Sequence, residues 1–310
     1  YTDASVSDFA LARYNTDGSP DTTFGGGDGI ATTSLGGNGD VGYDVIQQGD
    51  GKLVVAGTSF TDISNSYDFA ITRYNADGSL DMSFGGDGIV TTAVGQGDDV
   101  AHSVIQQGDG KLVVAGYASG ESGTQDFALV CYNADGSLDT SFGGGDGIVM
   151  TPIGATSDVG YSVIQQGDGK LVVAGLSLVG SDDSGFSIAR YNADGTLDES
   201  FGGGDGIVVT QLGTGYDSGR SVIQQSDGKL VVAGSSHNGS GYDLALARFN
   251  ADGSLDTSFG GGDGIVTTPT GQSNDFGFSV IQQSDGKLVV AGSTDDASYS
   301  DFVLARYNAD

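Results

Sequence analysis

The chain has 310 residues, 37% of them hydrophobic, with 56 Gly, 3 Pro, one Cys and a formal net charge of −30. That apolar share suffices for a core, the scarcity of Pro excludes collagen, and a lone Cys excludes an intrachain disulfide. The acid is almost all Asp, with Glu only at Glu121 and Glu199; Asp favours turns, so the charge belongs in loops, on a surface that repels nucleic acid and anionic membrane.

No run of 18 apolar residues is present, so no membrane span or membrane insertion is expected. The phrase Val-Ile-Gln-Gln begins at Val45, Val104, Val163, Val222 and Val280, in steps of 59, 59, 59 and 58. Self-similarity at a fixed period marks a repeat architecture. In chain order, 1–33 reads as a partial unit with a third strand near 8–14 and a fourth near 29–33. Complete units follow at 42–92, 101–151, 160–210 and 219–268, and 278–310 holds the first three strands of another.

The unit at 160–210 serves as the template. Residues 160–166 alternate and form its first strand. The Asp-Gly of 167–170 makes a hairpin turn. Residues 171–175 are continuously apolar, a second strand buried on both faces. A loop leads to the third strand at 186–191. The turn 192–198 follows, with Phe201 pinning it to the core, and 206–210 is the fourth strand. No helical period or cap occurs. Four short antiparallel strands per unit describe an all-β propeller of four-stranded blades; a parallel β-helix fits less well, because its coils are shorter and lack two Asp-Gly turns each. If the terminal strands merge into one closing blade, the chain supplies about five blades and leaves one third strand spare. Alternatively it is a fragment of a larger propeller or repeat array. The chain has no initiator Met and stops inside a unit, which reads as a mature or excised piece. The whole of 1–310 is expected to be a single propeller domain.

Strand parity places the first-to-second and third-to-fourth turns on one constant, acidic face. The second-to-third loops at 58–67, 117–125, 176–184, 235–242 and 293–300 vary and belong to the opposite face, where specificity would live.

The wording Ile-Gln-Gln-x-Asp-Gly-Lys-Leu-Val-Val-Ala-Gly, then Asp-Phe-Ala-Leu-Ala-Arg-Tyr-Asn-Ala-Asp-Gly-Ser-Leu-Asp-Thr-Ser-Phe-Gly, resembles the delta-60 repeat family of bacterial β-propellers across nearly the whole chain. More distantly it is similar to NHL and gluconolactonase-type blades. The resemblance implies a large secreted or surface protein of bacteria, hence an extracellular or cell-surface location, and no assigned activity. The family's Gln-Pro-Asp-Gly-Lys has Gly or Ser in place of Pro here, at Gly49, Gly108, Gly167, Ser226 and Ser284.

Candidate chemistry concentrates in the turns. Asn15/Asp17/Asp21, Asn75/Asp77/Asp81, Asn133/Asp135/Asp139, Asn192/Asp194/Asp198 and Asn250/Asp252/Asp256 offer oxygen ligands at alternate positions, as calcium requires. Asp28, Asp87, Asp146, Asp205 and Asp263 could supply more. The competing expectation is that these Asn and Asp bond their own backbone; the Gly falls at position four of the loop rather than six, and no Glu closes it, unlike an EF-hand. Paired glutamines such as Gln106-Gln107 could line an axis and meet sugar, or satisfy strand ends. The once-per-unit Lys (52, 111, 170, 229, 287) and Arg (13, 73, 190, 248, 306) suit salt bridges better than anionic glycans. Cys131 replaces that Arg in one unit, and Arg220 is the extra one. His102 and His237 sit at non-equivalent places; the His102 position holds Tyr43, Tyr161, Arg220 and Phe278 elsewhere. With identical groups in every unit, a catalytic set is not expected. The expected role is a non-enzymatic, secreted or cell-surface structural or adhesive propeller, self-associating through the spare strand or bound to other surface proteins. A polysaccharide-binding module and a metal-dependent sugar lactonase are the alternatives.

Overall fold

The structure, a computed structural model, describes residues 7–36, 39–61, 65–120, 123–154, 156–180, 183–270, 274–295 and 299–309. The variable-loop tips at 62–64, 121–122, 181–182 and 296–298 lie outside the described residues. The chain forms two compact units, Tyr1–Met150 and Thr151–Asp310. No helix is present among the described residues.

The first unit opens with the antiparallel pair β1 (Phe9–Ala12) and β2 (Ile30–Thr33). Its next sheet runs in order β3 (Val41–Gln47), β4 (Leu53–Thr61), β5 (Ser66–Tyr74), β6 (Ile89–Thr92). The sheet β7 (Asp99–Gln106), β8 (Leu112–Ser119), β9 (Gln125–Tyr132), β10 (Ile148–Thr151) repeats that order. The second unit holds β11 (Asp158–Gln165), β12 (Leu171–Leu178), β13 (Ser184–Tyr191), β14 (Ile207–Thr210) and then β15 (Asp217–Gln224), β16 (Leu230–His237), β17 (Tyr242–Phe249), β18 (Ile265–Thr268). It ends in the three-stranded sheet β19 (Asp275–Gln282), β20 (Leu288–Asp295), β21 (Ser300–Tyr307). These are propeller blades of meandering antiparallel strands, the all-β architecture expected from the repeat. Among the described residues β1 and β2 pair as a two-stranded sheet, and β19, β20 and β21 as a three-stranded one.

Both turns of a blade share one geometry. In the first, Gln48 N donates to Lys52 O at 2.8 Å and Gly51 N to Gln48 O at 2.9 Å. In the second, Asn75 N donates to Ser79 O at 2.8 Å and Gly78 N to Asn75 O at 2.9 Å. Each is a three-residue loop whose last residue, Gly51 or Gly78, takes a φ of 88° or 86°, the left-handed conformation that glycine adopts without a Cβ clash. This is the physical content of the repeated Asp-Gly.

The second and third strands are buried on both faces; Val172, Val173, Ala174, Phe186, Ile188 and Ala189 are each 0% exposed. Within each unit, blades bury these faces against one another. In the first, Val54, Phe69, Ile71 and Phe84 share a cluster with Val104, Leu112, Val114 and Val130. In the second, Val172, Ile188 and Phe201 share one with Val222, Leu230, Val232 and Ala247. Tyrosine hydroxyls tie neighbours: Tyr74 donates to Thr33 at 2.9 Å and Tyr132 to Thr92 at 2.8 Å. Blades also approach closely at Gly253, where an added Cβ would lie 2.9 Å from the Phe201 ring and 3.0 Å from Gly202 N.

First strands begin two or three residues earlier than the alternation suggests, at Asp99, Asp158, Asp217 and Asp275. The cause is a β-bulge. Pairing skips one residue in each first strand: Tyr43, His102, Tyr161, Arg220 and Phe278. A bulge breaks the period of two and re-aims the side chain it carries.

Candidate functional site

The once-per-blade Arg and Lys meet at the second of the two turns. In β5, Arg73 Nε donates to Asp81 Oδ2 at 2.7 Å, Nη2 to Ser83 Oγ at 3.3 Å, and Nη1 to the carbonyl of Ala134 in the next blade. The Arg73 guanidinium lies 4.6 Å over the Phe84 ring. Lys52, from the first turn, reaches Asp81 at 2.9 Å. Beside this, Gly85 N donates to Asp135 O of the next blade at 2.9 Å. The second unit repeats it: Arg190 Nε to Asp198 Oδ2 at 2.6 Å, Nη1 to Ala251 O at 2.6 Å, and Lys170 to Asp198 at 2.8 Å. Arg248 holds Asp256 at 2.7 Å and reaches Ala309 O. Both turns of a blade therefore lie together on one face, and the cations are structural ion pairs.

The charge states follow. Asp81 and Asp256 are desolvated, which raises their pKa, but the Ser83 or Ser258 hydroxyl and the Lys and Arg donors outweigh it and hold both below the usual range. The Lys111 ammonium and the Ser141 hydroxyl bring Asp139 down to about 2. Cys131 has no guanidinium; burial, then the Asp139 charge, push its thiol up to about 12, which disfavours the thiolate.

The fifteen Asn and Asp positions proposed as calcium ligands divide by role. The middle Asp of each turn bonds two residues on: Asp17 Oδ1 accepts Ser19 N at 2.9 Å and Ser19 Oγ at 2.6 Å. Asp77, Asp135, Asp194 and Asp252 do the same with Ser79, Ser137, Thr196 and Ser254. The leading Asn turns its amide nitrogen inward: Asn15, Asn75, Asn133, Asn192 and Asn250 donate to the next hydroxyl at 3.0–3.1 Å. The last Asp, in Asp21, Asp81, Asp139, Asp198 and Asp256, accepts the backbone N–H two residues on with one oxygen. Its other oxygen faces Arg in four of the five and Lys111 in Asp139. Asp28, Asp87, Asp146, Asp205 and Asp263 each accept one N–H of a fourth strand. Among the described residues, no group of three or more His, Cys, Asp or Glu side chains is placed to hold a metal ion.

Sequence reasoning missed a second acidic set. Asp40, Asp99, Asp158, Asp217 and Asp275 are 0–1% exposed, one per blade. Asp99 Oδ2 accepts Val94 N at 2.7 Å and Gly95 N at 2.8 Å, and its Oδ1 takes Ser119 N at 3.2 Å. Asp158 accepts Ile153 N at 2.7 Å and the Ser177 hydroxyl. These carboxylates gather loose amides where one blade hands over to the next. Burial raises the pKa of Asp99 against those amide bonds. The signal was available, because the five Asp recur at the repeat spacing.

The bulge positions are where the blades stop being alike. In the first unit, the Tyr43 and His102 rings lie 5.0 Å apart, and His102 lies 5.8 Å from Tyr117. In the second, the Arg220 guanidinium lies 4.8 Å over the Tyr161 ring and 5.6 Å over Phe278. His237 belongs to another place, 5.0 Å from the Tyr242 ring. Gln165, Gln224 and Gln282 donate to the Gly169, Gly228 and Gly286 carbonyls of their own turns.

The strand order, the stacked blades and the repeated turn network define a β-propeller repeat protein. A profile of the Domain of unknown function (DUF5122) beta-propeller matches residues 1–24, 48–84, 107–142, 166–201, 225–259 and 283–310. Those segments make up more than half of the chain, and the chain belongs to that family. No curated protein matches it. Among solved structures it is similar to a protein of unknown function from Bacteroides caccae, 12% identical over 91% of this chain and 78% of that one, with a TM-score of 0.50. It is similar also to a protein of unknown function from Dyadobacter fermentans, 11% identical over 87% and 79%, TM-score 0.51. These likenesses show the fold alone. A gluconolactonase from Xanthomonas campestris matches at 15% identity over 86% and 73%, with a TM-score of 0.42, too low to carry a functional argument.

Proposed function

We propose that this chain is a non-enzymatic structural and adhesive propeller of the delta-60 type, working outside the cell or on its surface, and that it associates with a second copy through its last blade. The observation that carries this is the open side of β19–β21. Phe302 is 101% and Leu304 75% exposed, whereas their counterparts Phe69, Ile71, Phe127, Leu129, Phe186, Ile188, Leu244 and Leu246 are 0–1% exposed. No strand pairs with the outer edge of β21 among the described residues. Contiguous apolar surface beside an open strand edge invites another chain.

The covering partner has blade chemistry. Within the second unit, the face of β12–β13 is closed by the following blade, whose Gly219 sits against Gly175 O and the Phe186 ring. The N-terminal pair carries the converse half: Tyr14 is 64% and Ile30 47% exposed, while Tyr74 and Tyr132 are 0%. A joint between unlike faces is heterologous and can propagate. The absence of catalysis is supported by the turns, where the acids of successive blades do one job and keep their oxygens on the chain's own donors. The extracellular setting rests on the family resemblance and the acidic surface.

Light scattering across a concentration series tests the proposal. Wild type should gain mass with concentration, and Phe302→Asp should not. A wild-type mass that stays monomeric throughout contradicts the association. Lactonase or glycosidase turnover abolished by a single bulge-residue substitution contradicts the non-enzymatic reading.

A further inference from the structure

The bulge position takes Tyr43, His102, Tyr161, Arg220 and Phe278 in successive blades, the most varied position of an otherwise near-identical first strand. Arg220 differs from the other inner arginines of its unit. Arg190 and Arg248 each spend Nε on an Asp and Nη1 on a carbonyl. Arg220 makes no hydrogen bond or ion pair among the described residues, and its Nε is buried without a partner. The Tyr161 and Phe278 rings lie beside its guanidinium, 4.8 Å and 5.6 Å from it. With Nε buried and the residue part-exposed, the terminal N–H groups are the ones without a protein partner that a ligand could reach. That terminal pair is a fork suited to a carboxylate. In a chain of net charge −30, a part-buried cation with no ion pair among the described residues keeps its charge available to an external anion.

An aromatic run continues from this position. The Phe278 and Phe276 rings lie 6.5 Å apart at an interplanar angle of 5°, Phe276 and Tyr242 are 5.1 Å apart, and Tyr242 and His237 are 5.0 Å apart. Phe278 is 49% exposed and the other three are part-exposed. Rings with an open face accept the apolar face of a pyranose, and a uronic acid combines such a face with a carboxylate.

We propose that Arg220, Tyr161 and Phe278, with the Phe276–Tyr242 wall, bind an acidic glycan, the guanidinium taking a uronate carboxylate and the rings the sugar faces. The probe is trigalacturonate, followed by titration calorimetry against wild type, Arg220→Gln and Phe276→Ala, with its methyl ester and acetate as controls. The account expects saturable binding of the trisaccharide by wild type. It expects a loss of about tenfold or more in Arg220→Gln, as fits one charge-assisted forked contact. The methyl ester should weaken similarly, and Phe276→Ala should weaken the trisaccharide. Unchanged melting of Arg220→Gln shows that the blades remain folded. Undiminished binding by Arg220→Gln overturns the proposal, as does no binding by wild type at about 10 mM sugar. Acetate binding as tightly as the trisaccharide overturns the glycan assignment. Repeating the titrations in Phe302→Asp removes association without touching Arg220, so the two proposals stand or fall separately.

Discussion

Truncating one inner arginine should cost several times more than truncating its outer equivalent. Arg190→Ala removes three donors at once: Nε to Asp198 at 2.6 Å, Nη1 to Ala251 O at 2.6 Å and Nη2 to Ser200 at 3.1 Å. It also removes the stack at 4.5 Å over Phe201. Arg190 and Asp198 side chains are 8% and 7% exposed, so water restores little. Asp198 keeps Lys170 at 2.8 Å and is not stranded; the Ala251 carbonyl loses its guanidinium partner. An unpaired buried acceptor costs about 1–3 kcal/mol, and breaking a buried charged pair about 3–5 kcal/mol. With Lys170 compensating in part, the net loss should be about 3 kcal/mol. Arg13→Ala removes the same bonds from a side chain that is 34% exposed, and should cost about 1 kcal/mol or less. Urea unfolding of both variants, read by circular dichroism, supplies the comparison. Equal costs for the two, or a loss below about 0.5 kcal/mol for Arg190→Ala, refute the view that the network fastens one blade to the next.

Further predictions follow from the turns. Asp81, Asp139, Asp198 and Asp256 have folded pKa values below 3.8. Their contribution is complete above that value and lost as pH falls through the folded pKa, about 2 for Asp139; melting temperature should therefore drop between pH 4 and 2. The raised pKa of Asp99 acts in the opposite sense, its share declining as pH climbs past 3.8. Gly253→Ala meets the Phe201 ring at 2.9 Å with φ at +90°, whereas Gly261→Ala meets nothing within 4 Å at φ +85°; the first should cost about 3 kcal/mol or more and the second about 1–2 kcal/mol by denaturant melt. Gly167 has an open surround and a φ outside the left-handed range, and its N–H is not used by the turn that Gly169 N closes onto Gln166 O. Gly167→Pro should stabilise by about 0.4–1 kcal/mol, mostly by restricting the unfolded chain, and a lower melting temperature would count against this.

The strand order and both turns were legible because Asp-Gly, alternation and the continuously apolar Leu-Val-Val-Ala-Gly are local signals. The Arg–Asp–Lys network was half legible: one cation of each kind per blade implied ion pairs, but the reach of Arg73 to Ala134 in the next blade is a tertiary fact. The buried Asp99 set escaped because an Asp ahead of an apolar strand looks like loop charge. Its burial becomes visible only when the amides of Val94 and Gly95 are folded onto it. The bulges escaped for a related reason, since Tyr161 or Arg220 extends an alternating strand acceptably until the pairing shows Gly160 and Ser162, or Gly219 and Ser221, as consecutive partners.

The most direct test of the claim that the Asp-rich turns serve the chain itself is a thermal melt in calcium and in EDTA at matched ionic strength. The turn oxygens are taken by Ser19, Ser79, Ser137, Thr196 and Ser254 and by the Arg and Lys partners. The two melting temperatures should therefore agree to within about 1 °C. A saturable rise of several degrees with calcium, about 2.7 kcal/mol at a hundredfold excess over Kd, would contradict the account.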